Sequence, residues 1–249
     1  MLRKLFRSRP SPSLHVPART RVYAVGDIHG RLDLLETLLT AIDADEDARG
    51  AADTVLIFLG DVLDRGPDSA AVVDRLLRLS RERASRFLLG NHEQMFLAAL
   101  AGNRRSLHGF CRMGGRETVL SYGIEPAAYE RMDYDELGAA LLAAVPAAHR
   151  RFLETFEDMV VVGDYAFVHA GVDPRVPLDA QEWSEMRWMR DPFLNHRAPL
   201  EKMIVHGHTM TEAVEWRSHR IGIDTGAYAT NVLTALGLES ADRWVVDTR

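Results

Sequence analysis

Short apolar runs alternate with segments of helical periodicity through the first hundred residues of the chain. The apolar runs cover residues 22–25, 54–59 and 87–89, and a glycine follows each of them. After the glycines, apolar side chains recur at helical spacing over residues 32–42, in a segment that begins near Pro67, and over residues 93–100. Runs of this length indicate buried strands, and the period of 3.6 indicates amphipathic helices. The pattern therefore predicts three successive strand-loop-helix units.

The second half of the chain has a different pattern. Residues 102–151 are mostly helix formers, which predicts a helical insertion that caps the rest of the domain. Seven short apolar runs follow it, at residues 159–162, 165–169, 203–206, 213–216, 221–224, 232–238 and 244–246. Alternating strands and helices followed by a series of strands indicate an α/β protein with layered sheets, part of which is antiparallel. We predict one domain over residues 21–249, preceded by a basic arm over residues 1–20.

Composition and cysteine content narrow the class of protein. The chain has 249 residues, of which 47% are hydrophobic and 27% charged, as in an ordinary globular protein. No apolar run approaches the roughly 18 residues that a membrane-spanning helix needs. The single cysteine, Cys111, cannot form an intramolecular disulfide. A reducing compartment is therefore expected, and we predict a cytoplasmic protein.

The charge of the chain is unevenly distributed. Six Lys and Arg residues precede the first acidic residue, Asp27, so a net charge of -6 leaves -12 for residues 27–249. A body this acidic is a poor binder of phosphate backbones, and no nucleic acid partner is expected. Two interpretations of the basic arm remain open, a disordered segment and a weak tether to an anionic surface.

Polar residues of the kind that bind metals follow several of the predicted strands. At the ends of the first three strands they are Asp27, His29, Asp61, Asn91 and His92. Because the carboxyl ends of such strands meet at one crevice, these side chains are expected to lie together. Two later strands add His169 and the pair His206 and His208. Carboxylates, imidazoles and an amide without thiolates suit Mn, Fe or Zn, and two ions that share a carboxylate would use the whole set.

Three of these segments resemble the calcineurin-like metallophosphoesterases. The segments are Gly-Asp-Ile-His-Gly at 26–30, Gly-Asp-Val-Leu-Asp-Arg-Gly at 60–66 and Gly-Asn-His-Glu at 90–93. Asp64-Arg65-Gly66 and Gln94-Met95 resemble the phosphoprotein phosphatase branch, in particular the compact bacterial and phage-type Ser/Thr phosphatases. This resemblance implies a layered αββα sandwich of two mixed sheets with a helical insertion.

The resemblance also implies roles for individual residues. His92 would act as the catalytic acid, and Asp64 would hold its imidazole. Phosphate would be bound by Arg65, Arg190 and Asn91. The implied metal ligands are Asp27 and His29 on the first ion, Asp61 between both ions, and Asn91, His169 and His208 on the second.

His208 is preferred to His206 because the last histidine of the family follows a glycine, as His208 follows Gly207. Related branches have a further histidine two residues later, where this chain has Met210. The first ion would therefore keep an open position, as in the protein phosphatase branch. This departure argues against the other branches.

Together these residues predict a hydrolase that cleaves phosphomonoesters. Two divalent ions, most simply Mn, would lower the pKa of a shared water so that hydroxide attacks phosphorus. The preferred substrate class is a Ser/Thr phosphoprotein or phosphopeptide. Two alternatives remain open: a bis(5'-nucleosyl)-tetraphosphatase or other small-molecule phosphoesterase, and an inactive metal-binding scaffold. A nucleotide-binding dehydrogenase is excluded, because no Gly-x-Gly-x-x-Gly follows the first strand.

Overall fold

Two five-stranded sheets form the centre of the protein, in a computed structural model that describes residues 14–249. The strands are β1 (Thr20–Val25), β2 (Asp53–Phe58), β3 (Ser85–Phe87), β4 (Met159–Val162), β5 (Tyr165–Val168), β6 (Met203–His206), β7 (Glu215–Trp216), β8 (Arg220–Gly222), β9 (Thr234–Glu239) and β10 (Asp242–Asp247). The first sheet has the order β10-β9-β1-β2-β3, and the second has the order β4-β5-β6-β8-β7. Both sheets mix parallel and antiparallel pairs.

Most of the helices cover the outer face of the first sheet or lie in the insertion. They are α1 (Leu32–Arg49), α2 (Ser69–Glu82), α3 (Asn91–Leu100), α4 (Arg104–Phe110), α5 (Arg116–Ser121), α6 (Pro126–Tyr129), α7 (Tyr134–Ala144), α8 (Ala147–Leu153), α9 (Trp183–Met186) and α10 (Ala227–Thr230). A π-helical turn at Cys111–Gly115 joins α4 to α5, and a 3-10 turn lies at Leu178–Ala180.

The side chains of β1 show how the layers are held together. Tyr23 and Val25 belong to the core between the first sheet and its helices, whereas Val22 and Ala24 belong to the core between the two sheets. This alternation follows from the two-residue period of a strand, and it buries both faces of β1. The prediction of an α/β sandwich of two mixed sheets with helical layers is confirmed. The outer face of the second sheet is covered by a thinner layer, built from the 3-10 turn, α9 and coil.

Helix α1 is seven residues longer than its apolar stripe, which ends at Ile42. The extension over 43–49 is polar and is supported by the hydrogen bond from Arg49 to Asp45, one turn apart. The helix ends at Gly50, whose φ of 80° is left-handed. Apolar periodicity marks only the buried part of a helix, so an exposed last turn escapes it.

The boundary of the N-terminal arm differs from the prediction. Val16 is buried in the core between the sheets, its amide donates to Ser240, and the amide of His15 donates to Asp164. The ordered domain therefore begins before residue 20. The rest of the predicted arm, residues 1–13, lies outside the described residues.

The stretch over 102–151 contains α4 to α7, the π-helical turn and most of α8. It packs through Phe110 on Phe96 of α3, with the ring centroids 5.4 Å apart. Helix α3 begins immediately after the third strand, so this packing places the insertion beside the carboxyl ends of the strands. Within residues 14–249, no helix is long and apolar enough to cross a membrane.

Candidate metal centre

The carboxylate of Asp61 lies at the centre of a buried cluster of imidazoles. Its Oδ1 is 3.4 Å from Nε2 of His169, and its Oδ2 is 3.8 Å from Nε2 of both His29 and His92. Two groups of potential ligands result, and Asp61 is a member of both: one with His29 and His92, the other with His169 and His208. The geometry therefore allows one carboxylate to serve two ions.

Asn91 contacts both histidines of the second group. Its Oδ1 is 3.0 Å from Nε2 of His169 and 2.9 Å from Nδ1 of His208. Asn91 is the first residue of α3, so it lies where the loop of the third predicted strand-loop-helix unit meets its helix. The amide oxygen and the two ring nitrogens are therefore positioned to share an ion.

Backbone carbonyls fix the orientation of two imidazoles. Nδ1 of His29 lies 2.7 Å from the carbonyl of Leu63, and Nδ1 of His169 lies 2.7 Å from the carbonyl of Leu59. A carbonyl only accepts, so each Nδ1 carries a proton and donates it. When the ring is neutral, Nε2 presents its lone pair to the cluster. Histidines that bind metals are usually held in this way.

Asp27 lies at the edge of the cluster. Both of its carboxylate oxygens accept the backbone N–H of His208, at 3.2 and 3.0 Å. Burial raises the pKa of Asp27 well above its usual range, and the nearby carboxylate of Asp224 adds to the effect. Two buried carboxylates near Asp61 make this side of the cluster strongly favourable for a cation.

The electrostatics of the cluster fit divalent metal ions. Although burial acts to lower the pKa of His169, the Asp61 carboxylate raises it to about 10, so the cluster attracts positive charge to its centre. Burial lowers the pKa of His29 and of His208 to about 3, which keeps both imidazoles neutral. Neutral imidazoles, carboxylates and an amide oxygen form the donor set that borderline divalent ions use.

Glu93 holds the loop that carries Asp61. Its carboxylate accepts four backbone N–H groups, those of Gly90 and of three consecutive residues at 61–63, at 2.7 to 3.2 Å. Burial, together with the Asp61 carboxylate, raises the pKa of Glu93 to about 7. Glu93, which ends the third motif, therefore fixes the backbone of the loop that carries Asp61, and it is not a proposed metal ligand.

His92 and Asp64 form a buried hydrogen-bonded pair. Nδ1 of His92 is 2.6 Å from Oδ2 of Asp64, so Nε2 of the same ring faces Asp61. Although burial acts to lower it, Asp61 and Asp64 raise the pKa of His92. The pair is thus able to hold a proton at Nε2.

Thr118 of the insertion contacts this pair. Its hydroxyl donates to Oδ1 of Asp64 at 2.6 Å and accepts the Asp64 amide at 3.0 Å. Oγ of Ser69 also accepts the Asp64 amide at 3.0 Å and lies 2.9 Å from the Thr118 hydroxyl. All three residues are buried. A residue of the insertion therefore supports the site, although none of the site residues predicted from the sequence lies in the insertion.

We expect Thr118→Val to lower the free energy of unfolding by about 2 kcal/mol. The change leaves one oxygen of a buried carboxylate without its donor, and unmet hydrogen bonds to buried charged groups cost about 1–3 kcal/mol. Denaturant unfolding of the wild type, Thr118→Val and Thr118→Ser measures this. The serine variant retains the hydroxyl and is expected to lose less than about 1 kcal/mol. Equal stability of the valine variant and the wild type would contradict the role of the hydroxyl.

Left-handed backbone is concentrated in this site. Of the eight non-glycine residues with positive φ in the described chain, five belong to the site: His29, Asp61, Asp64, Arg65 and His208. Such conformations cost about 1–3 kcal/mol each and persist where the surroundings hold them in place. The concentration indicates that these side chains are aimed at the cluster at some cost to stability.

Two motif glycines allow the backbone to approach the ligands. A Cβ at Gly90 would lie 2.2 Å from Oδ1 of Asp61, and one at Gly207 would lie 2.0 Å from Oδ1 of Asp27. Any side chain at either position would collide with a carboxylate of the cluster. This is the physical reason for a glycine beside Asn91 and beside His208.

Arg65 lies over the cluster, exposed to solvent. Its Nη2 is 3.2 Å from Nε2 of His92, and its guanidinium lies 4.6 Å from the ring centroid of Tyr228. The Tyr228 ring in turn packs edge-on against His29, with the centroids 5.3 Å apart. Tyr228 therefore helps to hold Arg65 at the mouth of the site, a role the sequence analysis did not assign.

Arg190 lies close to the second group of potential ligands. Its Nη1 is 3.5 Å from Oγ1 of Thr209, the residue after His208. The nearby Arg187 forms an ion pair with Asp158. Of these two arginines, Arg190 is therefore the one whose charge is not engaged by a carboxylate of the described chain.

The two histidines at 206 and 208 have different surroundings. His206 is buried against Phe193, and its Nε2 accepts from Arg220. The ring of His208 lies 5.1 Å from that of His169, inside the cluster. Met210, where other branches have a further histidine, is half exposed and packs on Gly226.

Comparisons with known proteins agree with the fold. A family model described as calcineurin-like phosphoesterase matches residues 20–234. A symmetrical bis(5'-nucleosyl)-tetraphosphatase from Ralstonia nicotianae is 29% identical over 223 residues, covering 86% of this chain and 62% of that protein. The chain thus spans less than two thirds of the length of this relative.

Two solved structures share the fold. One, provisionally assigned as a diadenosine tetraphosphatase, has a TM-score of 0.64 at 22% identity and covers 94% of this chain and 98% of its own. A cold-active protein tyrosine phosphatase has a TM-score of 0.57 at 20% identity, over 93% of this chain and 81% of its own.

Proposed function

The chain belongs to the calcineurin-like phosphoesterase family, and from that premise we propose that it hydrolyses dinucleoside polyphosphates at a centre of two divalent metal ions. The observation that carries the metal chemistry is the position of Asp61, whose two oxygens face the imidazoles of both candidate groups. Two bound ions would supply a water of lowered pKa and neutralise the phosphate.

In the proposed assignment Asp27 and His29 would hold the first ion, Asp61 would be shared by both ions, and the second ion would be held by the set Asn91, His169 and His208. The assignment departs from the first candidate group by adding Asp27 and by keeping His92 as the acid. Support for it comes from the buried carboxylates and from the backbone carbonyls that hold His29 and His169 with Nε2 inward. The identity of the metal is proposed to be Mn, with Fe and Zn compatible with the same donors.

His92 is proposed to protonate the leaving group. Its Nδ1 is fixed by Asp64, so a proton carried at Nε2 points into the cluster. In the described geometry Arg65 donates to that same Nε2, which requires the nitrogen to be unprotonated. A phosphate bound between the two side chains would take the donor of Arg65, and Nε2 would then be free to hold the proton that it transfers.

Arg65 and Arg190 are proposed to bind the phosphate oxygens together with Asn91. A guanidinium offers a planar fork of donors that matches a phosphate. Arg65 contacts His92 and Arg190 contacts Thr209, the residue after His208, and neither arginine is paired with a carboxylate in the described chain. A polyphosphate carries several negative charges and can engage both.

The substrate class is supported by the relatives. Among the curated proteins that match this chain, one from Ralstonia nicotianae and one from Acidovorax are named as symmetrical bis(5'-nucleosyl)-tetraphosphatases, and one from Anoxybacillus flavithermus is named as an asymmetrical one. The second candidate is a phosphoprotein phosphatase, and Met210 favours it because this residue leaves one side of the first metal position without a histidine. Gln94, which also resembles that branch, accepts from the indole of Trp188.

A side-by-side assay tests the proposal. We expect the metal-reconstituted protein to hydrolyse diadenosine tetraphosphate with a kcat/KM at least about tenfold above that for a phosphoserine peptide, about 1.4 kcal/mol of barrier. p-Nitrophenyl phosphate reports the basal chemistry in the same experiment. A reversed preference would favour the protein phosphatase. No turnover of any substrate by protein that holds two ions would indicate an inactive metal-binding scaffold.

A further inference from the structure

An open cavity of about 400 Å³ lies between α3, α4 and the π-helical turn. Its lining includes Met95 from α3, Arg105 and Gly109 from α4, and Arg112 and Met113 from the turn. None of these residues belongs to the proposed metal centre. The cavity is formed by the insertion on one side and by the catalytic helix α3 on the other.

The cavity borders the loop at 60–66, which carries Asp61, Asp64 and Arg65. Gly114, the residue after Met113, accepts the backbone N–H of Arg65 at 3.0 Å, and its φ of 105° brings its backbone close to the Arg65 side chain. Met95 follows His92 by three residues on α3, so the two lie on neighbouring positions of one helix face. Gly114 thus joins the cavity to Arg65. One helical turn of α3 separates Met95, in the cavity, from His92.

The rim of the cavity is cationic. Arg105 and Arg112 are exposed, and no carboxylate of the described chain forms an ion pair or hydrogen bond with either. The neighbouring Arg104 differs, because it pairs with Asp135 on α7. In a chain of net charge -6, two such unpaired arginines at one rim favour an anionic ligand.

The floor of the cavity is formed by methionines. The methyl group of Met95 lies 2.4 Å from the place where a Cβ of residue 109 would be, so the glycine lets the methionine extend across the floor. Met113 lies beside it. Thioether side chains adapt their shape to the group that they contact and make favourable contacts with aromatic rings.

We propose that this cavity binds the nucleotide half that leaves the metal centre, a nucleoside diphosphate. Its phosphates contact Arg105 and Arg112, and its base lies on Met95 and Met113. This inference rests on the proposed function for its biological meaning, and it is argued from the position of Arg65, which contacts His92 on one side and Gly114 beside the cavity on the other. As a binding site for a nucleotide it is testable without turnover.

The arginine pair is tested with a double variant and a matched control. Arg105→Gln with Arg112→Gln removes the rim charge, whereas Arg104→Gln with Arg131→Gln removes the same charge from other exposed positions of the insertion. We expect the first pair to raise the Kd for ADP and the KM for diadenosine tetraphosphate at least about tenfold, as for charged hydrogen bonds. The control pair is expected to leave both constants within about twofold, and kcat/KM for p-nitrophenyl phosphate is expected to be unchanged in all proteins.

The floor is tested by comparing ADP with pyrophosphate. In the wild type ADP is expected to bind more tightly, and Met113→Ala is expected to reduce the ratio of the two dissociation constants by about threefold to tenfold. The ratio cancels any change in the affinity of the phosphates, whether they are bound by the two arginines or by the metal centre. An unchanged ratio would overturn the placement of the base.

The possible outcomes separate this inference from the proposed function. If the wild type hydrolyses diadenosine tetraphosphate and the rim variant behaves like the control, the cavity is not the nucleotide site although the proposed function holds. If dinucleotides are not hydrolysed but ADP binding still depends on the rim, the proposed function fails and the site stands. Equal losses on p-nitrophenyl phosphate, or a loss confined to phosphopeptides, would overturn the inference in favour of a role in the centre or in peptide docking.

Discussion

Asp61→Asn is expected to lower both metal content and activity. Asparagine has the same shape and retains the carbonyl oxygen that accepts the His92 amide, so the loop can keep its conformation. It lacks the negative charge that faces the imidazoles of both groups. Because bound metal ions contribute several kcal/mol to phosphoryl transfer, kcat/KM should fall at least about 100-fold.

Asp68→Asn is the matched control for this substitution. Asp68 lies on the loop after the same strand and is partly exposed. Removing its charge should leave metal content unchanged and the rate within about twofold, as is usual for surface charges. Equal rate losses in the two variants would mean that the effect comes from the loop and not from the shared carboxylate.

His92→Asn is expected to reduce the rate by an amount that depends on the leaving group. The proposed metal ligands remain, but the proton donor that Asp64 orients is lost. General acid catalysis is typically worth about 10² to 10⁴ in rate for a poor alkoxide leaving group and less for a good phenolate. A phosphoserine peptide and p-nitrophenyl phosphate compare the two cases on one protein.

Equal losses on both substrates would exclude His92 as the acid and indicate that it positions the phosphate. The metal content of the variant must be measured at the same time, because Nε2 of His92 lies 3.8 Å from Asp61 and belongs to one of the two candidate groups. Full metal content together with a loss confined to the phosphoserine peptide is the result expected of a proton donor.

The sequence predicts the site well where local chemistry repeats at the ends of strands. Asp27, Asp61 and Asn91 each follow an apolar run and a glycine, and the parallel order β1-β2-β3 brings these three ends to one edge. Gly90 has no room for a side chain because it lies against Asp61. Gly207, which precedes His208, has no room because it lies against Asp27. Pattern and geometry have one cause here, which is why the prediction and the structure agree on the position of the cluster.

No pattern in the sequence marks the contacts between the insertion and the loop at 60–66. Thr118 reaches Asp64 over 54 positions of the chain, and Gly114 binds the backbone of Arg65 over 49. A single threonine in a helical segment carries no mark of the partner it will meet. The arm boundary differs for a similar reason, because Val16 is buried by long-range packing in the core between the two sheets.

The number of metal ions bound per chain tests the central claim most directly. Metal-free wild type and Asp61→Asn are titrated with Mn while bound metal and the hydrolysis of p-nitrophenyl phosphate are recorded together. The account predicts that the wild type binds two ions per chain, that activity appears as the second site fills, and that Asp61→Asn binds both ions more weakly. A wild type that is fully active with one ion, or an Asp61→Asn variant that binds two ions with unchanged affinity, would contradict a centre of two ions bridged by Asp61.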